Sequence, residues 1–193
     1  MPRVSVLTKD VVLNAAFEIV CKDSFAMLSA RNVAKKIGSS VRPIYEAYAN
    51  MDELKQDVVS KVKKELDSII YGYRKTGRPF FDLGLGYIYA AYTKPVLFHA
   101  FYHEGMLGQN LDHLTPDNYV LQAMRQELGN IKMPDQMMID VAVNAWMYTF
   151  GLASFVALGT LAYDEEKFLQ RFTNIWNHMM KVAECYSNNI INN

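Results

Sequence analysis

The sequence is poor in the residues that make tight turns. Its 193 residues include 10 glycines and 6 prolines, and neither Asn-Gly nor Asp-Gly occurs. β-Hairpins lean on such pairs, so an all-β fold is excluded. Cysteine is scarce too: Cys21 and Cys185 lie far apart in helix-like stretches. That excludes a disulfide scaffold and fits reduced thiols in a cytosolic protein. Met1–Ser5 has no apolar run of the kind a secretory leader carries, so the expected location is cytoplasmic. Excess charge of either sign is missing, because 20 Lys+Arg balance 20 Asp+Glu. That excludes a strongly basic chain, but only on average.

The charges that are present are unevenly placed. Residues 1–64 carry 11 basic and 7 acidic side chains, a net +4, and the remainder carries −4. Such asymmetry points to two units with different partners. Hydrophobic residues make up 51% of the chain, ample for a core. One run, Val141 to Tyr163, has no charge and is long enough to span a bilayer. Asn144, Thr149, Ser154 and Thr160 dilute it, and no Lys/Arg cluster flanks it. A buried or interfacial helix is therefore expected, with no membrane partner.

The periodicity is helical throughout. Thr8 caps a first helix with Val11, Val12, Ala15, Ala16, Ile19 and Val20 on one face. Phe25 and Leu28 in the following connector are expected to plug the core. Ser29 caps a second, short helix that ends at Gly38, and a third covers Val41 to Ala47 with Pro43 in its first turn. Asn50 and Glu53 form a capping-box pattern for a fourth helix reaching about Tyr73. The segment Thr76-Gly77-Arg78-Pro79 stops that helix and starts the next. A stripe from Phe168 through Phe172, Trp176 and Met180 to Ala183 marks the last helix, and 187–193 is expected to fray.

Helix, glycine turn, helix is the arrangement that seats a helix in the DNA major groove. The chain reads Thr8-x2-Val11-x3-Ala15-Ala16-x2-Ile19-Val20, then Leu28-Ser29-Ala30-Arg31-Asn32-Val33-Ala34-x2-Ile37-Gly38. It continues Ser39-Ser40-x3-Ile44-Tyr45-x2-Tyr48-x2-Met51-Asp52-x-Leu54. From Thr8 to Leu54 this resembles the DNA-binding domain of the TetR (tetracycline-repressor-like) family of bacterial regulators. The resemblance implies an all-α chain. Residues 1–50 would form the helix-turn-helix domain, 51–76 a connecting helix, and 77–193 a ligand-binding and dimerisation domain. It also implies a homodimer on a palindrome-like duplex and a small-molecule effector that releases the DNA, so a repressor is expected.

Within that frame, Ser29 at a helix N-terminus suits a phosphate, or serves only as a cap. Arg31, Lys35 and Lys36 would add phosphate attraction. Ser39, Ser40, Val41 and Arg42 open the recognition helix and are candidates for base edges. Arg42 is either a guanine reader or a solvated cation. Tyr45 would donate to a phosphate, and Tyr48 would wedge the third helix against the first. Two departures stand out: Met51 where the family usually has lysine, and Ala47 where it often has His or Tyr. Lys55, one turn on, is a partial substitute for the first.

The second half is rich in rings. Tyr87, Tyr92, Phe98, Phe101, Tyr102, Trp146 and Phe150, with Met147, are expected to line an apolar ligand pocket, though each is also plausible as plain core. The expected ligand is apolar or aromatic, and cationic if tyrosine faces line the pocket. His99 and His103 share a helix face. Even with Glu104 or His113 they make a weak metal set, so no metal or cofactor is expected. Gly84-Leu-Gly86 and Gly151-Leu-Ala-Ser154 lack the spacing of nucleotide-binding and nucleophile motifs. No enzymatic role is expected. The rival reading is an all-helical carrier or enzyme that binds no DNA. The last two helices, about 134–162 and 164–186, are expected to pair with their twins in a four-helix dimer interface.

Overall fold

The computed structural model describes residues 7–105, 116–129, 131 and 133–191, with side chains as far as Val182. All regular structure among the described residues is helical. The helices are α1 (Lys9–Lys22), α2 (Ala30–Ile37), α3 (Arg42–Ala47), α4 (Met51–Gly72) and α5 (Pro79–Thr93). They continue as α6 (Pro95–His99), α7 (Asn118–Leu128), α8 (Asp135–Ala157) and α9 (Glu165–Ile191). A 3₁₀ turn spans Phe25–Met27, and a wide π-helical turn, Ala100–Gly105, extends α6. The chain divides into two compact units. One takes the described residues of 1–67 and 94–109, the other those of 68–93 and 110–193. Helix α4 contributes to both units, and α6 belongs to the first.

The first unit is built by local signals. The Thr8 side chain accepts the Val11 N–H, and Ser29 accepts that of Asn32. Gly38 closes α2 at φ 74°, ψ 33°, a conformation a side chain would strain, and the Ser39 N–H reaches back to the Ala34 carbonyl at 2.9 Å. Helix α1 buries Val12, Ala15, Ala16, Ile19 and Val20, the face its periodicity predicts. Phe25 is buried; Leu28 is only half so. Phe98 and Phe101 complete this core, and Glu104 accepts the Phe25 N–H at 2.9 Å, tying the π turn to the 3₁₀ turn.

Helix α4 buries Leu54, Val58, Val62, Leu66 and Ile70, one residue in every four along its length. That strict period is a single stripe on a 3.6-residue helix.

In the second unit α5 is the central helix, packed on α7, α8 and α9. Gly86 explains half of the Gly-Leu-Gly run: a Cβ there would meet the Ile70 carbonyl oxygen at 2.6 Å, so α5 can cross α4 this closely only without one. Asp82, 1% exposed, accepts the Lys75 and Thr76 N–H groups at 3.2 and 2.9 Å and the Thr76 hydroxyl at 2.9 Å. It thereby fixes the turn that Gly77 punctuates. Helix α8 holds most of the uncharged run, from Val141 to Ala157, behind Asp135 and Asp140; it is 23 residues long and apolar enough by length and composition to cross a membrane. It buries Met138, Val141, Ala142, Thr149, Leu152, Ala153 and Val156, while Met147 and Phe155 stay more than half exposed. Helix α9 places Phe168, Phe172, Trp176 and Met180 inward and continues past the expected fraying point to Ile191.

Candidate nucleic-acid interface and ligand cavity

Helices α2 and α3 turn their apolar residues inward and leave polar ones outside. Val33, Ala34 and Ile44 are buried, whereas Arg31, Lys35, Lys36, Ser40, Val41, Arg42 and Tyr45 are exposed. Ser29 and Ser39 are half-buried. Helix α3 begins at Arg42, with Val41 as its cap, so 39–41 form the turn that presents it. The Ser39 hydroxyl is spent on the Ser40 carbonyl at 3.0 Å. The cations differ in their freedom. Lys36 is bound back to Glu18 on α1 at 2.8 Å, and Arg42 Nε to Glu46 one turn later at 3.0 Å. Arg31 and Lys35 have no ion pair among the described residues. Exposed pairs of this kind are weak and readily exchanged.

Tyr48 is 2% exposed, and its hydroxyl has no partner in hydrogen-bonding geometry among the described residues. Burial, reinforced by Asp57, pushes that hydroxyl up to about 12. The side chain is a packing wedge, as its size suggests. Lys9, which sequence reasoning passed over, sits 4.5 Å above the Tyr48 ring and pairs with Glu53 at 2.9 Å and Asp57 at 3.2 Å. Its hydrogen bond to Glu53, then that to Asp57, raises the ammonium well above its ordinary value, and Glu53 is held low in return. Glu53 Oε2 also accepts the Ala49 N–H at 2.9 Å, while Asn50 Oδ1 accepts the Glu53 N–H. Lys9 and the capping residues thus lock the start of α1 to the start of α4. Lys55 is exposed, its ammonium 5.9 Å from the Phe25 ring, and Met51 is half-buried.

The second unit holds a hollow of about 680 Å³, mouth included. Tyr71 of α4 and Val120 of α7 line it, with Phe80, Phe81, Leu83, Gly84 and Tyr87 of α5. Ala142, Ala145, Trp146, Tyr148 and Thr149 come from α8, and Phe172, Ile175, Trp176 and Met179 from α9. None of these residues is charged. Two hydroxyls of the wall are already engaged. Thr149 donates to the Ala145 carbonyl at 2.8 Å, and Tyr71 donates to Asp117 Oδ2 at 2.7 Å. Asp117 also caps α7 by accepting the Val120 N–H, so one carboxylate joins the end of α4 to the start of α7. Gly84 accounts for the other half of the Gly-Leu-Gly run: a Cβ there would stand 2.9 Å from the Phe172 ring.

No family model matches the chain, and no curated protein does. Two solved structures resemble it in fold. One is a TetR transcriptional regulator from Streptomyces coelicolor, at 13% identity and TM-score 0.59, covering 92% of this chain and 99% of that one. The other is a TetR transcriptional regulator from Rhodococcus sp. RHA1, at 17% identity and TM-score 0.50, covering 89% and 93%. The chain has the TetR fold.

Within this TetR fold the aromatics expected around one pocket are dispersed. Tyr87 and Trp146 line the hollow. Phe150 does not, but stacks on Trp146 at 5.2 Å with planes 14° apart. Tyr92 is 55% exposed and stacks on Tyr163 at 4.4 Å; Met147 is 55% exposed. Phe98 and Phe101 are core of the first unit, with Tyr102 packed on both rings. Wall residues that ring content could not name include Leu83 and Gly84 of α5, Ala142, Ala145 and Thr149 of α8, and Ile175 and Met179 of α9. The amphipathic stripe of α9 had named Phe172 and Trp176, but as core. His99 and His103 stack at 5.0 Å, and His99 Nδ1 lies 3.2 Å from Glu104. Burial, then the charge of His99, holds His103 below its ordinary value. No metal-competent group of three occurs among the described residues, and His113 lies outside them.

Proposed function

We propose that the chain is a homodimeric, ligand-responsive transcription regulator, a repressor that leaves its operator when the hollow is filled. The observation that carries this reading is the outer face of the helix-turn-helix. Arg31, Lys35, Arg42 and Tyr45 stand exposed on two short helices whose inner faces are buried. Arg31, Lys35 and Lys55 would meet phosphates, and Arg42 would exchange Glu46 for a guanine edge. Ser29, half-buried as the cap of α2, would receive a phosphate at that helix terminus. Lys36 stays with α1 as a brace, and Tyr48 packs.

The homodimer would form through α8 and α9. Met147, Phe155, Leu158 and Val182 are each more than half exposed, an apolar face that a second copy would cover. Two recognition helices would then reach successive major grooves about 34 Å apart. The coupling runs through α4, which carries Leu54 and Val58 in the core of the first unit and Tyr71 in the wall of the hollow. A ligand pressing on Tyr71 would strain its bond to Asp117 and shift the end of α4. DNA release follows only if the ligand prefers that shifted state.

Selection of duplexes from a random pool tests the proposal. Enrichment of a site with two inverted halves, their centres about 10 base pairs apart, is the expected result. A pool that yields no preferred site sinks it and leaves a small-molecule carrier.

A further inference from the structure

Both tryptophans of the chain, Trp146 and Trp176, stand in the wall of the same hollow. Around Trp176 the rings of Phe80 and Phe81 lie at 5.4 and 5.9 Å, tilted 54° and 65° to it. Two charged groups that touch wall residues are engaged elsewhere. Asp117 accepts from Tyr71 and Val120, and Arg78 pairs with Glu127 while its guanidinium lies 3.4 Å over the Phe81 ring. A guest inside therefore meets ring faces and edges, alkyl groups and few unspent polar atoms.

That wall discriminates by charge. A carboxylate would shed its water and find no cation in the described wall, a cost that ring contacts do not recover. An ammonium would gain attraction from the rings but find no carboxylate to complete its neutralisation. A neutral, flat ring system loses little hydration and gains ring contacts with the aromatic wall. We infer that the hollow takes a neutral, planar, largely aromatic molecule and rejects the same skeleton bearing a charge. The inference rests on reading the hollow as the effector site.

Three isosteric probes decide it: 2-naphthalenemethanol, 2-naphthoate and (2-naphthylmethyl)ammonium, titrated into the full chain by calorimetry at neutral pH. The alcohol is expected to bind at least about tenfold more tightly than either ion. Filling the hollow by Ala145→Leu or Ala145→Trp is expected to weaken the alcohol about tenfold or more, each variant's fold being checked by circular dichroism. The milder variant serves if the larger one unfolds. Either ion matching the alcohol overturns the inference. So does the absence of binding by all three up to their solubility limits, or unchanged affinity in a folded filling variant. Calorimetry uses no DNA, so a chain that selects no duplex can still pass this test, and one that selects a duplex can still fail it.

Discussion

The two units treat charge in opposite ways. The helix-turn-helix unit spreads its cations over the surface and answers several with carboxylates, as in Lys9 with Glu53, Lys36 with Glu18 and Arg42 with Glu46. The second unit keeps every charged side chain out of the described wall of its hollow. The first arrangement suits a partner that arrives with its own charge and can exchange for a weak local pair. The second suits a partner that must leave water without needing compensation. Zero net charge conceals this division completely.

Charge forced into the hollow is expected to have the largest effect. Thr149 is 5% exposed, and Thr149→Asp would bury a carboxylate with no partner. A loss of about 3–5 kcal/mol is expected, by analogy with buried charges stripped of their partner. A urea midpoint barely below that of the parent would mean the wall is wetter than described. Next, Arg42→Ala should cost about 1–3 kcal/mol of discrimination at one base pair, whereas Lys35→Ala should weaken all sequences alike. Equal, sequence-independent losses in both variants would remove Arg42 from base reading.

Smaller effects sharpen the same contrast. Tyr71→Phe keeps the wall but deletes the bond to Asp117. Operator affinity without ligand should stay within about twofold, while the ligand-induced drop shrinks, since coupling of this kind is typically worth about 1–3 kcal/mol. Glu46→Ala frees Arg42 and removes a negative charge facing the duplex. A gain of about 0.5 kcal/mol in DNA binding is expected, the scale of one exposed helical pair. An unchanged affinity would mean that the pair never competes with DNA. The smallest effect concerns pH. Since burial holds His103 below its ordinary 6.5, the folded state favours the neutral ring. Its contribution is complete above that value and is lost as pH falls below it, through the lowered folded value. His103→Gln should flatten the acid side of the stability profile, and a profile with the parent's slope would assign that slope to other groups.

Legibility followed the range of the interactions. Thr8, Ser29, Gly38 and Asn50 act within four residues of themselves, and the sequence pattern placed each of them correctly at a helix boundary. Helix α3 begins one residue later than expected because Val41 is its cap. The hollow draws on α4, α5, α7, α8 and α9, between Tyr71 and Met179, and no local period encodes which faces converge. Ring content alone therefore gathered Phe98 and Phe101 with Trp146, although the first two belong to the other unit. The close approaches at Gly84 and Gly86 were likewise invisible, since a glycine needed for space looks locally like one merely tolerated. The Lys9 pairs span more than forty residues and left no signal that spacing rules could detect.

In the proposed complex the exposed cations of the first unit meet a phosphate backbone. The most direct test is the salt dependence of binding to the duplex enriched by selection, followed by fluorescence anisotropy between roughly 50 and 200 mM salt. Arg31, Lys35 and Lys55 from each of two subunits would displace about six counterions, giving a slope of log affinity against log salt near −5. The lysine missing at Met51 keeps it no steeper. A slope near zero would contradict the account, because it would mean that whatever holds the duplex is not these charges.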